Sequence, residues 1–592
     1  MIRSPSRGEW AALGAALAFD VLALPTLAAG LSFLLTGGTH GTYGLVPPWT
    51  GWALVATDAP LRQVYLVLAG AVVAGVGYLV WLARSGSAAP ASGAAAYGSA
   101  RWRTGRELCE GLGLWTSGAP RNPVGLVVGA EHGGRRVRRA WVVSRDGHTL
   151  VIGAPGAGKS TRLIEPTLAV IAAGGEGVLV NDPKGELYSA CAGTFLLHGY
   201  DVVRFDLREP AHSVRWNPLL PVARALMAGD TAAATRHARQ LAQIVTSQGA
   251  PTGGNDAFWR ESTVALVTAL ALAVADQAPP EARNLASVHR LLTETADLDA
   301  FFAALPQGHP ARLAYGAVRL SGGETRKSQL TVAAVAMGIF ADPGVAWLTS
   351  GDELDPASLA GSKRAVFVVV PDDSSAYYPV AALFVAQVLQ ALAAEASRGP
   401  GGRLPSPVHL VLDEFGSLPR IPDFDKALAV ARGRGVRIHL VLQAFSQLDS
   451  VYGPDVARTM RNSCNTWVYL SSNDVETARI VSEKTGQSTV ATTTRGVNWQ
   501  SAQQSRNETY AYTARPLLTP DEVARWPFGE SLVLQAGLLP ARLPLRPFEE
   551  WPWSGYAPPP ARARRVAPPA TWDPPQAPAG YGPEDGIAVD GI

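Results

Sequence analysis

The chain has 592 residues, of which 47% are apolar and 17% charged, and its formal net charge is +2. Such a length has room for about two to four domains; the apolar excess points to membrane segments, and the near-neutral balance excludes a global attraction to nucleic acid, leaving only a local basic patch for such contact. Cys109, Cys191 and Cys464 lie far apart without C-x-x-C pairing, which excludes a disulfide framework and a zinc site and predicts small buried hydrophobes in a reducing compartment.

In chain order, two apolar runs come first. Trp10 to Thr36 carries no charge except Asp20, and Val64 to Leu82 is uninterrupted. Both reach the roughly 20 residues a bilayer requires, so two transmembrane helices, about 10–36 and 64–82, are predicted. Arg3 and Arg7 precede the first, Arg84, Arg101, Arg103 and Arg106 follow the second, and Arg62 is the sole Lys or Arg between them. Positive charge stays inside, which puts both termini in the cytoplasm and the short middle loop outside. A cleaved signal peptide is the alternative for the first run, but that run exceeds a usual h-region. Asp20 is either a functional intramembrane carboxylate or a protonated one near a helix end or against a neighbouring helix. Residues 1–84 are thus an anchor, and the Ala/Gly/Ser-rich stretch 85–96 is a linker.

Apolar stretches at 124–129, 138–144 and 148–152, separated by polar Gly/Arg turns, predict short strands. The last runs into Gly153, Ala154, Pro155, Gly156, Ala157, Gly158, Lys159, Ser160 and Thr161, which fits G-x-x-x-x-G-K-[ST]. In that pattern small residues let backbone N–H groups face phosphates, Lys159 reaches the β and γ oxygens, and the Ser160 hydroxyl ligates Mg²⁺. The helix opened by the loop adds its positive end. A glycine-rich turn with a solvated lysine is the plainer alternative, and the β-branched run before and helix-compatible run after argue against it.

Gly177 to Asn181 reads as a second buried strand, running into Asp182, Pro183, Lys184, Gly185 and Glu186. Charge at a strand's C-terminal end stands where ligands bind in an open parallel sheet; alternatively Asp182 caps a helix with Pro183 in its first position. Between strands at 202–206 and 365–370, helical apolar spacing over 222–246, 258–275, 287–305 and 327–339 predicts an inserted all-α domain, 221–345. Arg236, His237 and Arg239 form a small basic face on it or a solvated one. Val408 to Leu412 is a β run ending in Asp413 and Glu414; such an acid holds Mg²⁺, and the adjacent Glu polarises an attacking water. Gly435 to Leu442 is a further strand, with Gln443 at its tip either binding that water or sensing the γ-phosphate, or, more cheaply, a solvated strand end. Arg432 and Arg434 stand before it, either as a finger crossing a subunit interface or as solvated arginines. The nucleotide-binding part is therefore split into 97–220 and 346–553. Residues 474–485 read as a helix, the Ser/Thr/Gln-rich stretch to Arg515 as a loop or hairpin, and 554–592 as a disordered Pro-rich tail.

The succession of Gly98 to Trp102, the phosphate loop, Asp182 to Glu186, Asp256 to Trp259, Leu412 to Phe415 with Leu418 to Pro422, Gln443 to Leu448, and Arg461 to Asn465 resembles the type IV coupling proteins of conjugation and type IV secretion, over roughly residues 1–550. The resemblance implies an α/β fold with a RecA-like core, in a membrane-anchored, hexameric, Mg²⁺-dependent ATPase of the cytoplasmic (inner) membrane, related to FtsK/HerA translocases. Such a motor passes relaxase-bound single-stranded DNA or secreted proteins to a type IV secretion channel. By motif position it makes Arg432 the trans-acting finger, Gln443 the γ-phosphate sensor and Glu414 the water activator, and it has the all-α domain read cargo. Pro155, Gly156 and Ala157 stand where the family often has Thr and Ser. Two rivals are a docking receptor that uses nucleotide as an assembly switch and a chromosome translocase. Lys159, Asp413, Glu414 and Arg432 together favour turnover over switching, and the tail holds no counterpart of a translocase's DNA-reading winged helix.

Overall fold

The computed structural model describes residues 47–85, 96–247, 256–371, 374–500, 503–558 and 563–573, with a few positions between 23 and 31. The chain divides into two compact units, residues 1–97 with 489–513, and residues 98–488 with 514–592.

The first unit carries α1 (Pro48–Thr57) and α2 (Ala59–Ser85). Proline at the first helical position starts α1, so the expected middle loop contains a helix. The 27 residues of α2 include the whole of the expected second span, and at 1.5 Å per residue they run about 40 Å. The expected first span, with Asp20, lies outside the described residues apart from a few positions.

The second unit is built on a nine-stranded sheet of order β14-β13-β10-β4-β9-β8-β5-β7-β6. Its strands are β4 (His148–Gly153), β5 (Gly177–Asp182), β6 (Asp201–Asp206), β7 (Arg364–Val369), β8 (Val408–Leu412), β9 (Val436–Leu442), β10 (Cys464–Ser471), β13 (Glu530–Gln535) and β14 (Ala541–Pro544). The seven strands from β10 to β6 are mutually parallel, and β13 and β14 extend the sheet antiparallel at one edge. Parallel strands are covered on both faces and so read as continuous apolar runs. Leu150 and Ile152 pack into one hydrophobic cluster and Val151, between them, into the other. A separate antiparallel sheet, order β1-β3-β2, comprises β1 (Gly113–Thr116), β2 (Leu126–His132) and β3 (Val137–Val143). The stretch expected as a loop or hairpin forms a two-stranded sheet, β11 (Gln487–Gln500) with β12 (Gln503–Pro516).

Helices α3 (Glu165–Gly174) and α4 (Glu186–Leu197) follow β4 and β5. Between β6 and β7 every regular element among the described residues is helical: α5 (Leu220–Met227), α6 (Thr231–Val245), α7 (Asp256–Gln277), α8 (Leu285–Glu294), α9 (Leu298–Ala304), α10 (Pro310–Arg319), α11 (Gly323–Met337), α12 (Pro343–Leu348) and short 3₁₀ turns. Two expected helices are each broken in two. The run 222–246 breaks where Gly229 takes φ +75° and the Asp230 side chain caps α6 through the Ala233 N–H, and the run 287–305 breaks where Asp297 caps α9 through the Ala300 N–H. The core helix α13 (Tyr378–Arg398) follows β7. With the preceding turn it is the one helix among the described residues long and apolar enough to cross a membrane, and most of it is buried in the protein core.

Two further expectations are corrected. Cys191 and Cys464 are buried as expected, but Cys109 is exposed. The tail is not disordered over residues 563–573: Trp572 packs on the hydrophobic core, and the Arg564 N–H donates to the Ala211 carbonyl at 2.7 Å.

Candidate functional site

Strand register collects the predicted residues at one edge of the sheet. Pairing of Asn181 with Leu412 brings Asp182, the last residue of β5, beside Asp413, just past the end of β8. Pairing of Ile152 with Leu442 puts Gly153 beside Gln443, and Ser471 of β10 pairs with Gly153 on the other side. The Ala154 N–H donates to the Ser471 carbonyl at 3.0 Å, which ties the loop to β10.

The loop's glycines are required by its shape. Gly156 and Gly158 take φ of +77° and +82°, a region that L side chains rarely adopt. A Cβ on Gly153 would stand 2.8 Å from Lys159 Cγ, because the lysine stem crosses over it. Lys159 Nζ donates to the Gly153 carbonyl at 2.6 Å and to the Ala154 carbonyl at 3.2 Å, so the ammonium is held inside the cradle. Burial pulls its pKa down, and the charges of Asp413 and Glu414 oppose that shift. After Gly158 the backbone makes a π turn, Lys159–Ile164, before α3 begins. Pro166, which has no N–H for the Arg162 carbonyl, stands at the change.

The acids occupy the neighbouring strand ends. Asp413 is buried, and burial first, then the adjacent Glu414 carboxylate, push its pKa up to about 6, with Lys159 opposing. Glu414 adopts φ 48°, ψ 40°, one of two non-glycine residues at positive φ among those described. Strain of this kind concentrates at functional sites. The Glu414 N–H donates to Asp413 Oδ1 at 3.0 Å, and Asn181 Nδ2 to the Asp413 carbonyl at 2.7 Å, so β5 fixes the bend that ends β8.

Asp182 is buried, its pKa raised to about 6 mainly by burial while backbone N–H groups oppose. Its Oδ2 accepts from the Tyr188 N–H at 2.8 Å, in the first turn of α4, although the N-cap position expected for it is held by Gly185. That helix starts at Glu186, so Pro183 lies in the preceding turn rather than in the first helical position. Lys184 is exposed. The Gln443 N–H donates to Gln447 Oε1 at 2.8 Å, while its carbonyl accepts from Ser472 Oγ at 3.3 Å.

The two arginines separate. Arg434 is half-buried, and its Nη1 donates to the Ala393 carbonyl of α13 at 2.7 Å. Arg432 is exposed, in the turn that enters β9. It stands at the sheet edge where β4 begins, its charge acting on His148, and the seven residues of β9 put it about 20 Å from the loop of its own chain. Sequence reading missed Asn181, Ser471 and Glu165. The apolar run Trp467 to Leu470 ending in Ser471 and Ser472 was the available signal for the second. Glu165 is buried in the first turn of α3, its pKa raised to about 7 by burial first and then by Glu549, Glu186 and Asp182.

These residues suit a Mg²⁺-nucleotide. The glycine cradle leaves space that a Cβ would fill, the lysine sits within it, and a hydroxyl on Ser160 with a carboxylate on Asp413 are the hard oxygen donors that Mg²⁺ takes.

Comparison with known proteins agrees with this geometry. The profile of the family described as "Type IV secretory system Conjugative DNA transfer" matches residues 120–544. Conjugal transfer protein TraG of Escherichia coli is 28% identical over 413 residues, covering 64% of this chain and 62% of TraG. Protein VirD4 of Agrobacterium fabrum is 24% identical over 403 residues, covering 67% and 58%. The chain thus spans less than two thirds of the length of these curated relatives. Among solved structures, the plasmid coupling protein TrwB in complex with the ATP analogue ADPNP shares the fold, with a TM-score of 0.56 at 19% identity over 78% of this chain and 96% of that one. Since the profile covers more than half of the sequence and includes the loop and both acids, the chain belongs to the type IV secretory system conjugative DNA transfer family.

Proposed function

We propose that the chain is a type IV coupling protein, an ATP-hydrolysing motor that recruits relaxase-bound single-stranded DNA or protein substrates and passes them to a type IV secretion channel. The observation that carries this reading is the phosphate loop at the end of β4 with Asp413 and Glu414 at the end of β8, one strand away across β9. TrwB, of the same fold, is described in complex with ADP and Mg²⁺.

Backbone N–H groups from Ala154 to Thr161 cradle the phosphates, and Lys159 exchanges its loop carbonyls for β and γ oxygens. Ser160 and Asp413 would hold Mg²⁺, which would supply neutralisation of the phosphate charge. Glu414 orients the attacking water and takes its proton, and Gln443 registers the γ-phosphate. Asp182 and Lys184 line the same edge. Arg432 cannot reach the loop of its own chain, so it acts on that of a neighbour in a hexameric ring. Residues 221–345 form an inserted all-α domain that reads cargo, and the helices at about 10–36 and 64–82 anchor the chain in the inner membrane with both termini in the cytoplasm.

The test is Lys159→Ala in a conjugation assay with purified-protein ATPase measurements alongside. Loss of both hydrolysis and transfer is expected. Transfer that persists while hydrolysis is gone would leave the docking receptor that needs no turnover.

A further inference from the structure

The tail residues Ala570 to Asp573 lie in an extended conformation on one face of the helical segment, and each of the four is read. The caps and turns of α8 supply the polar contacts from positions three apart, which share a helix face. Asn284, the N-cap of α8, donates through Nδ2 to the Ala570 carbonyl at 2.8 Å. Ser287 Oγ accepts from the Trp572 N–H at 3.0 Å. Arg290 donates through Nη1 to Thr571 Oγ1 at 2.7 Å and pairs through Nη2 with Asp573 at 2.6 Å. The half-buried Trp572 ring meets Phe301 of α9 edge-on, with centroids 6.0 Å apart.

Asn284 and Ser287 are both fully buried beneath the tail. Asn284 Oδ1 is used within α8, capping the Ser287 N–H, so its Nδ2 faces the tail's carbonyl. A buried donor and a buried acceptor aimed at a peptide backbone, an arginine aimed at a carboxylate and an aromatic shelf are the parts of a peptide-recognition site. The ligand is short, and upstream the chain is held at Arg564, whose N–H donates to the Ala211 carbonyl and whose guanidinium pairs with Glu353. Residues 563–568 are exposed and form no regular element, and the prolines of this stretch hold it extended at low entropic cost.

We propose that this α8–α9 face is a binding site for an extended protein segment carrying an aromatic residue followed by an acidic one, and that the chain's own Ala570–Asp573 occupies it in cis. A tethered segment acts at an effective concentration on the order of millimolar, so a four-residue contact too weak to persist in trans is held in cis. A partner protein with a better-matched segment displaces it. The proposal is independent of nucleotide chemistry.

The test uses the full chain and a labelled peptide of sequence Ala-Pro-Pro-Ala-Thr-Trp-Asp, matching residues 567–573, with binding followed by fluorescence anisotropy in the absence of nucleotide. Wild-type chain, its site filled, is expected to bind weakly. Trp572→Ala and, separately, the exposed Asp573→Lys each release the tail, and peptide affinity should rise about tenfold or more, as removal of a tethered competitor requires. Adding Arg290→Glu to either should abolish the gain, and a peptide with Lys in place of its Asp should bind that Arg290→Glu chain better than the parent peptide does. Equal binding to wild type and both tail variants, or a gain that survives Arg290→Glu, would overturn the proposal and leave the tail as a structural strap.

Discussion

Glu165 sits in the first turn of α3 beneath the phosphate loop, surrounded by Asp182, Glu186 and Glu549. Its folded pKa of about 7 lies above the ordinary 4.5, so the folded chain holds this proton more tightly than the unfolded one. The corresponding stability is fully present below about pH 4.5 and is lost as pH rises through about 7. Glu165→Gln should therefore raise the stability at pH 8, by on the order of 1–3 kcal/mol, and change little at pH 5. Equal effects at both pH values, read by thermal unfolding, would show that packing rather than charge governs this position. At this scale the sequence was informative where a residue type has few uses. The glycines of the loop and Lys159 could be read because φ near +80° and a phosphate partner admit little else. Asn181 and Ser471 could not, because each acts through a neighbour's backbone that only strand register brings within reach.

Among the elements, strands were legible and helix boundaries less so. A strand buried on both faces is a short apolar run closed by polar residues, and β4, β5, β8 and β9 all take that form. Helical periodicity, by contrast, continues across a sharp break when both halves bury the same kind of face, which is why α5 and α6 read as one. The signals were present: Gly229 with Asp230 marks the end of one helix and the cap of the next, and Pro310 and Pro343 open α10 and α12 after capping residues. Asp230→Ala should lower stability by about 1 kcal/mol, as loss of an N-cap does, and speed amide exchange in the first turn of α6 while leaving α5 protected. Unchanged exchange at Ala233 would mean the cap contributes nothing. The tail was misread for a different reason. Its Pro-rich composition cannot build a core of its own, but Trp572 reaches one already made, and composition carries no sign of a remote docking surface.

At the scale of the whole molecule, the proposed topology puts both ends of the chain on the cytoplasmic side, as the arginine distribution favours. A reporter fused after Arg84 should read cytoplasmic, and a periplasmic reading would reverse the topology. In the proposed motor the site is completed by a neighbouring copy, since Lys159 and Glu414 gather at one edge of the sheet while Arg432 stands at the other. Arg432→Ala should bind ATP nearly normally yet hydrolyse it roughly 10³-fold or more slowly, the usual contribution of an arginine finger. Glu414→Gln should show the same separation, because it keeps shape and Asp413 while removing the base. Turnover at a site shared between neighbouring copies is tested most directly by mixing these two variants in rings of verified composition and measuring ATPase activity. In a head-to-tail ring about one interface in four then regains both wild-type groups, so the mixture should hydrolyse ATP well above either parent, whereas mixed rings as inactive as both parents would contradict the shared site.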